Sequence, residues 1–239
     1  MTDGSTLRFD KLLLAAGAHP FIPPLPGAEY AGVFSLRTLQ DAEQIKAMVQ
    51  PGMRCVCIGG GLLGLETAGA LAAQRLHVTL LEGHDWLMPR QLCRRAGQVL
   101  EQHVGRVGVT IQRHARTQEI VGTERVTGVV LEDGTKLPAD VIIVATGVRP
   151  NSHLARRIPL DVDKGVVVNN RLITSHPDVL AAGDVAQHHG TLYGSWSASQ
   201  YQGNIAGLNL AGIQTEFGGL PRSNTLKVLG VDMLSIGQF

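Results

Sequence analysis

The sequence predicts an α/β fold in which helices pack on a parallel sheet and a small β-meander is inserted as a crossover. Three observations predict it. The apolar run Cys55-Val56-Cys57-Ile58 is followed by Gly59-Gly60-Gly61 and then by Leu62 to Arg75, rich in Leu and Ala and free of Pro. That order reads as buried strand, glycine turn and helix. Further strands and helical spacings then alternate as far as Val144. Finally, LLLAAGAHP at Leu12 to Pro20 and IIVATGVRP at Ile142 to Pro150 repeat one pattern, an apolar strand leaving through A-x-G-x-x-P. A repeated strand exit points to two related domains joined by paired crossings.

Composition excludes several classes. The 239 residues are 44% hydrophobic, with 21 Lys and Arg against 20 Asp and Glu. The balance offers neither a nucleic-acid-binding surface nor a polybasic membrane patch. No apolar run approaches the ~20 residues of a membrane span, and MTDGSTLRFDK lacks a signal-peptide core. The expectation is a soluble, cytoplasmic protein. Cys55 and Cys57 alternate along a strand and face one side, while Cys93 stands apart. Buried thiols of this kind behave as small hydrophobes. No C-x-x-C spacing occurs, so no redox disulfide, iron–sulfur ligand set or metal site is expected.

The glycine turn carries the chemistry. Gly59 permits a tight exit from the strand, Gly61 lets a pyrophosphate approach the backbone, and Gly64 lets the helix pack close to the strand. The helix N-terminus, through Leu62 and Leu63, offers unpaired N–H groups and a partial positive charge to phosphates. The next strand, His77 to Leu81, ends in Glu82. This acid lies about 20 residues past the turn, where a carboxylate bonds both ribose hydroxyls of an adenosine. It disfavours a 2′-phosphate, so NADH is expected over NADPH, although His84 and Arg90 nearby weaken that preference.

Along the rest of the chain, Asp3-Gly4 and Leu12 to Ala15 read as the second half of a hairpin, and four prolines from Pro20 to Pro26 make an extended connector. Thr38 to Val49 reads as a helix with Leu39, Ala42, Ile45 and Val49 on one face, its N-terminus marked by Thr38 and Asp41. Cys93 to Gly108 reads as a helix with Ala96, Val99, Leu100 and Val104 inward, followed by the strand Val109 to Ile111. Thr117 to Leu137, with an Asp133-Gly134 turn, is the meander. Val179 to Ala182 is a buried strand stopping at Gly183-Asp184, and Ser195 to Leu210 is a helix whose N-terminus could meet an anion or a carbonyl. His188-His189 reads as a solvated loop pair.

Taken in this order, the motifs resemble the FAD-dependent pyridine nucleotide-disulfide oxidoreductase family, flavoproteins with two dinucleotide-binding domains. The resemblance implies a three-layer Rossmann-like NAD(H) domain at 33–151, inserted into an FAD-binding domain represented by 1–32 and 152–222. Residues 223–239 would begin a carboxy-terminal interface domain. Gly59, Gly60, Gly61, Leu62, Leu63, Gly64 and Glu82 would hold NADH. Glu66 would lie near the nicotinamide and flavin and orient them. Ala16-Gly17 and Gly147 mark the crossings, with Ala16 standing where threonine is usual. Gly183 and Asp184 would serve the flavin ribityl or phosphate region, and Trp196 to Gln200 would lie near its pyrimidine side.

The segment TLKVLGVDMLSIG, Thr225 to Gly237, is similar to NADH-dependent nitrite reductase large subunits and to rubredoxin reductases, neither of which needs a redox disulfide here. The implied activity is hydride transfer from NADH to FAD, with electrons passed to a downstream acceptor domain or protein. The glycine fingerprint for the FAD pyrophosphate is not in this sequence. A chain cut at both ends, a fragment of such a reductase with an incomplete FAD site, is therefore expected; the alternative is that the chain by itself binds NADH without turnover. A homodimer is left open.

Overall fold

The computed structural model describes residues 4–221 and 223–236. The chain forms two compact units, one of residues 20–147 and 221–239, the other of residues 1–19 and 148–220.

The larger unit is built on a five-stranded sheet in the order Val33–Ser35, Val141–Val144, Arg54–Ile58, His77–Leu81, Val109–Gln112. Every neighbouring pair is parallel. Side chains alternate along each strand, and the sheet uses this to serve two cores. Cys55, Cys57, Val141 and Ile143 face the helices, with Leu65, Ala68, Leu71, Leu100 and Val104. Val56, Ile58, Ile142 and Val144 face the meander, with Ile120, Val126, Val129 and Leu131. The meander pairs Thr117–Gly122, Val126–Leu131 and Lys136–Pro138 antiparallel. Helices, sheet and meander are thus three layers, and burial on both faces explains why these strands read as continuous apolar runs.

The helix Leu62–Ala73 buries Leu65, Ala68 and Leu71 on one face. Each fully buried leucine contributes about 1.5–3 kcal/mol, so Leu65→Ala would cost about 2–5 kcal/mol. The helix stops where Arg75 takes a left-handed φ of 65°. Helix Leu39–Met48 begins with a complete capping box: Asp41 N–H donates to Thr38 Oγ1 at 3.2 Å, and Thr38 N–H to Asp41 Oδ2 at 2.8 Å.

Two inward-facing assignments are corrected. Leu39 is 76% exposed, because as the first helical residue it lies off the stripe that buries Ile45. In Arg94–Arg106 the buried face is Gly97, Leu100 and Val104, whereas Val99 is 62% exposed. Gly97 sets that face: a Cβ there would lie 2.5 Å from the Trp86 ring, so the indole fills the space.

In the smaller unit, Leu12–Leu14 pairs parallel with Val179–Ala181, and Val166–Val168 parallel with Ala186–His188. The helix Trp196–Leu210 covers them through Ile205 and Ala206, with Phe217 in the same core. Of the expected amino-terminal hairpin, Asp3 lies outside the described residues, and Leu12–Leu14 takes a parallel partner. Residues 223–236 form an antiparallel hairpin, Ser223–Val228 with Val231–Ile236, while Gly237 lies outside the described residues. No helix among the described residues is long and apolar enough to cross a membrane.

Arg54, at the start of the central strand, grips Asp140 twice, Nε–H to Oδ2 at 3.0 Å and Nη2–H to Oδ1 at 2.6 Å. Arg54 N–H adds a third bond to Oδ2 at 2.8 Å. The Arg54 side-chain bonds, followed by its backbone N–H, hold the Asp140 carboxyl below its ordinary 3.8. A lowered folded value gives stability that is full above the ordinary value and is lost as pH falls through the lowered one. Asp140→Asn should therefore lower stability at neutral pH by up to about 1 kcal/mol, the pair being partly exposed. That difference should vanish in acid, below the lowered value, as read from urea midpoints measured across the acid limb.

Candidate functional site

The central strand ends between two parallel neighbours, so the turn after Ile58 emerges at the carboxyl edge of the sheet. Gly59 has φ +115°, and a Cβ there would meet the Ala145 carbonyl oxygen at 2.5 Å. At Gly64 a Cβ would lie 1.9 Å from the Gly59 carbonyl oxygen, so the helix sits nearer the strand exit than any side chain allows. At Gly60 it would meet Glu82 Oε2 at 2.6 Å and Leu87 Cδ2 at 2.9 Å. Gly61 differs, with no heavy atom of the described residues within 4 Å of such a Cβ. Three glycines close the turn upon itself, and the fourth keeps its surface open. The steric need for Gly60, imposed from across the sheet, is not visible in the local sequence.

The first helical bond runs from Leu65 N–H to Gly61 C=O at 3.0 Å. The amides of Leu62, Leu63 and Gly64 come before it and have no acceptor within the helix. Gly61 provides no side-chain cap, and the first turn holds no acid. The contrast with the capping box at Thr38 is direct: one N-terminus is closed by its own side chains and the other has no side-chain cap, the arrangement that suits an anion.

Glu82 is 6% exposed and stands beside this opening. Gly60 N–H donates to its Oε2 at 3.1 Å and His84 N–H to its Oε1 at 2.9 Å. An ionised carboxylate has about four acceptor sites, so two bonds fix its orientation and leave capacity for hydroxyl donors. Both of its backbone polar groups are held by the end of the neighbouring strand, Glu82 N–H donating to Gln112 C=O and Ala115 N–H to Glu82 C=O. His84 and Arg90 are exposed. Beyond them Asp85 pairs with Arg94 and approaches His114 Nε2 at 3.5 Å.

Glu66 lies one helical turn further along, half-buried, and its Oε1 accepts the Leu229 N–H at 2.9 Å. Gly147, at the end of strand Val141–Val144, has φ +113°. Its carbonyl accepts from Phe21 N–H at 2.9 Å, while Thr146 Oγ1–H donates to Phe21 C=O at 2.6 Å.

In the smaller unit, Ala16-Gly17 and Gly183-Asp184 leave adjacent parallel strands at the same end. Asn151 fixes the first exit, its Nδ2–H donating to Ala16 C=O at 2.7 Å and its N–H to Gly17 C=O at 2.9 Å. Gly183 has φ +79°, and Ser199 Oγ–H donates to Asp184 Oδ1 at 3.3 Å. Gly183 N–H donates to Gln202 Oε1 at 2.8 Å, and Gln202 Nε2, wholly buried, has no acceptor among the described residues. No local signal marked Gln202 in the sequence. Trp196, first in its helix, is 79% exposed.

Two further side-chain groups lie in the interior, the first against expectation and the second as expected. His188 is buried rather than solvated, on strand Ala186–His188. Its Nε2 and that of His189 both meet Asn170 Oδ1, at 3.0 and 2.8 Å, and Phe217 packs edge-on against it. Burial, then the neighbouring His189, lowers its pKa from 6.5. The Sγ atoms of Cys55 and Cys57 are 3.8 Å apart in the core. The bond to Cys55, with burial, pushes the Cys57 thiol well up, so it is held as a thiol and not as a nucleophile.

Two glycine variants separate folding from binding. Gly64→Ala must displace the Gly59 carbonyl and should cost about 1–3 kcal/mol. Gly61→Ala meets open space, so its unfolding free energy, read from urea denaturation, should stay within about 1 kcal/mol of the parent. The same Gly61→Ala change should nevertheless weaken NADH binding at least about tenfold, about 1.4 kcal/mol, in a fluorescence titration.

The sequence profile of the pyridine nucleotide-disulphide oxidoreductases matches residues 1–203. An NAD(P)H nitrite reductase of Bacillus subtilis is 36% identical over the whole chain, which covers 30% of that protein. The crystal structure of the ferredoxin reductase for the CYP199A2 system of Rhodopseudomonas palustris superposes with a TM-score of 0.91 at 28% identity, over 99% of this chain and 60% of that one. For the NADH:rubredoxin oxidoreductase of Clostridium acetobutylicum the TM-score is 0.81 at 29% identity, over 99% and 58%. The chain thus spans between 30% and 60% of the length of these relatives. It belongs to the pyridine nucleotide-disulphide oxidoreductase family, whose members are FAD-dependent NAD(P)H oxidoreductases.

Proposed function

We propose that this chain carries the NADH-binding part of a flavoprotein reductase, and that the whole protein passes hydride from NADH to FAD and electrons on to an acceptor. One observation carries the reading. An uncapped helix N-terminus, with nothing against Gly61, lies beside a buried carboxylate already oriented by two amides. The pyrophosphate would lie over Gly61 and receive the amides of Leu62 and Leu63, while Glu82 would accept from the adenosine ribose hydroxyls. Residues 33–151 would make up this NAD(H) domain.

For FAD the donor set also fits. Asp184 offers a half-buried acceptor to a polyhydroxyl chain, Gly183 turns the backbone aside with positive φ, and the unsatisfied Gln202 Nε2 behind the turn marks a polar interior. When bound, the flavin supplies an acceptor for the nicotinamide hydride and a donor for the electrons that leave. Gln202 holds Gly183, Ser199 holds Asp184, and Trp196 stays exposed at the head of its helix. Residues 1–32 and 152–222 would be the FAD-binding portion, and 223–239 the first part of an interface domain. The named relatives include reductases of ferredoxin-type and rubredoxin partners and of nitrite. A redox protein or a redox domain in the cytoplasm is accordingly the acceptor proposed here.

The visible spectrum of the purified chain, followed by NADH titration, tests this. A flavin band that bleaches with NADH supports the complete reading, and a colourless chain with saturable NADH binding supports a nucleotide-binding module without turnover. Absence of NADH binding by a folded chain overturns both. Glu82→Ala should weaken NADH about tenfold, the loss of a hydrogen bond to a charged acceptor, and should narrow the difference between NADH and NADPH.

A further inference from the structure

The turn of the carboxy-terminal hairpin is seated in a notch between two helices of the nucleotide-binding unit. Its central residues, Leu229 and Gly230, have φ of 51° and 81°. Both are left-handed, as a two-residue hairpin turn requires, and Asn or Gly is the usual choice at the first position. A leucine there is unfavourable for the turn itself, so its presence calls for another use.

Every part of Leu229 is engaged. Its N–H donates to Glu66 Oε1 at 2.9 Å. Its carbonyl accepts from His103 Nε2 at 2.9 Å. Its Cδ2 lies 1.9 Å from where a Gly69 Cβ would stand, so the side chain fills a gap kept open by that glycine. Glu66 and Gly69 are on helix Leu62–Ala73 and His103 on Arg94–Arg106. The flanking Val228 is buried in the helix-side core, with Met233 packed on it, and Ser235 Oγ–H donates to Gln91 C=O at 2.6 Å.

We infer that Glu66, Gly69 and His103 form a dock for a β-turn, and that Glu66 is a positioning residue that latches the carboxy-terminal hairpin to the helix rising from the glycine turn. The left-handed leucine is retained because the dock uses its side chain and both of its backbone polar groups. The hairpin strands alone could not hold this position: a two-stranded hairpin is marginal in water until a face is packed. This use of Glu66 is separate from a place beside the nicotinamide and does not rest on NADH binding.

Hydrogen exchange of the whole chain, read by mass spectrometry over residues 227–234, tests it. Glu66→Ala and Gly69→Val should each speed exchange of that segment at least tenfold, with strand Arg54–Ile58 still protected. Glu66→Gln should restore near-parental exchange, since its side-chain carbonyl also accepts the Leu229 N–H. Should Glu66→Ala not fold, Leu229→Ala, a change in the hairpin itself, gives the same readout. Unchanged exchange of 227–234 in both Gly69→Val and a folded Glu66 or Leu229 variant would overturn the inference.

Discussion

The approach of one helix to one strand exit is the constraint on which the rest depends. A Cβ at Gly64 would stand 1.9 Å from the Gly59 carbonyl oxygen, so Leu62–Ala73 begins almost against the end of Arg54–Ile58. That closeness aims the unpaired amides at the carboxyl edge of the sheet, where helix dipole and open backbone reinforce each other for an anion. It also fixes the helix in rotation, burying Leu65, Ala68 and Leu71 beneath and turning Glu66 and Gly69 toward the hairpin. Nucleotide site, core and hairpin dock therefore share one rigid element.

The central strand supports this by being buried on both faces. Its alternate residues serve the helical core and the meander core, and after Arg54, which starts the strand and pairs with Asp140, every residue of Cys55–Ile58 is buried. The same burial explains the cysteines. Two thiols in van der Waals and weak hydrogen-bonding contact, with no solvent, favour the protonated form, so they pack as small apolar groups although the family's name refers to disulfides.

What was legible in the sequence was what is local. The strand, the glycine turn, the helix and Glu82 follow from period, composition and one spacing, and they come together as one site because a βαβ unit brings consecutive strands side by side. The three-layer arrangement was implied by the family resemblance rather than by local pattern. Side chains whose setting depends on remote partners were not legible. Val99 lost its inward place to Trp86 lying over Gly97, a choice made by loop packing and invisible to helical periodicity. His188 is drawn inside by Asn170 and Phe217, and Gln202 is defined only by the amide of Gly183. Glu66 and Leu229 are 163 positions apart, and neither residue announces the other.

The pinned carboxylate links fold and cofactor choice. Glu82 is not a free side chain at the mouth of a crevice. Gly60 and His84 each hold one of its oxygens, and a buried carboxylate gives up such bonds only at the cost of leaving polar groups unpaired. A pair of ribose hydroxyls can add to this arrangement without disturbing it, because they bring donors to a group that still has acceptor capacity. A 2′-phosphate would bring negative charge to a carboxylate that the two amides do not let swing aside, and exposed His84 and Arg90 could offset that repulsion only from the solvent side, where charge is screened. In the proposed NADH site, discrimination would thus reside in the backbone of the turn as much as in the acid, and Gly60, silent in the sequence, would belong to that site.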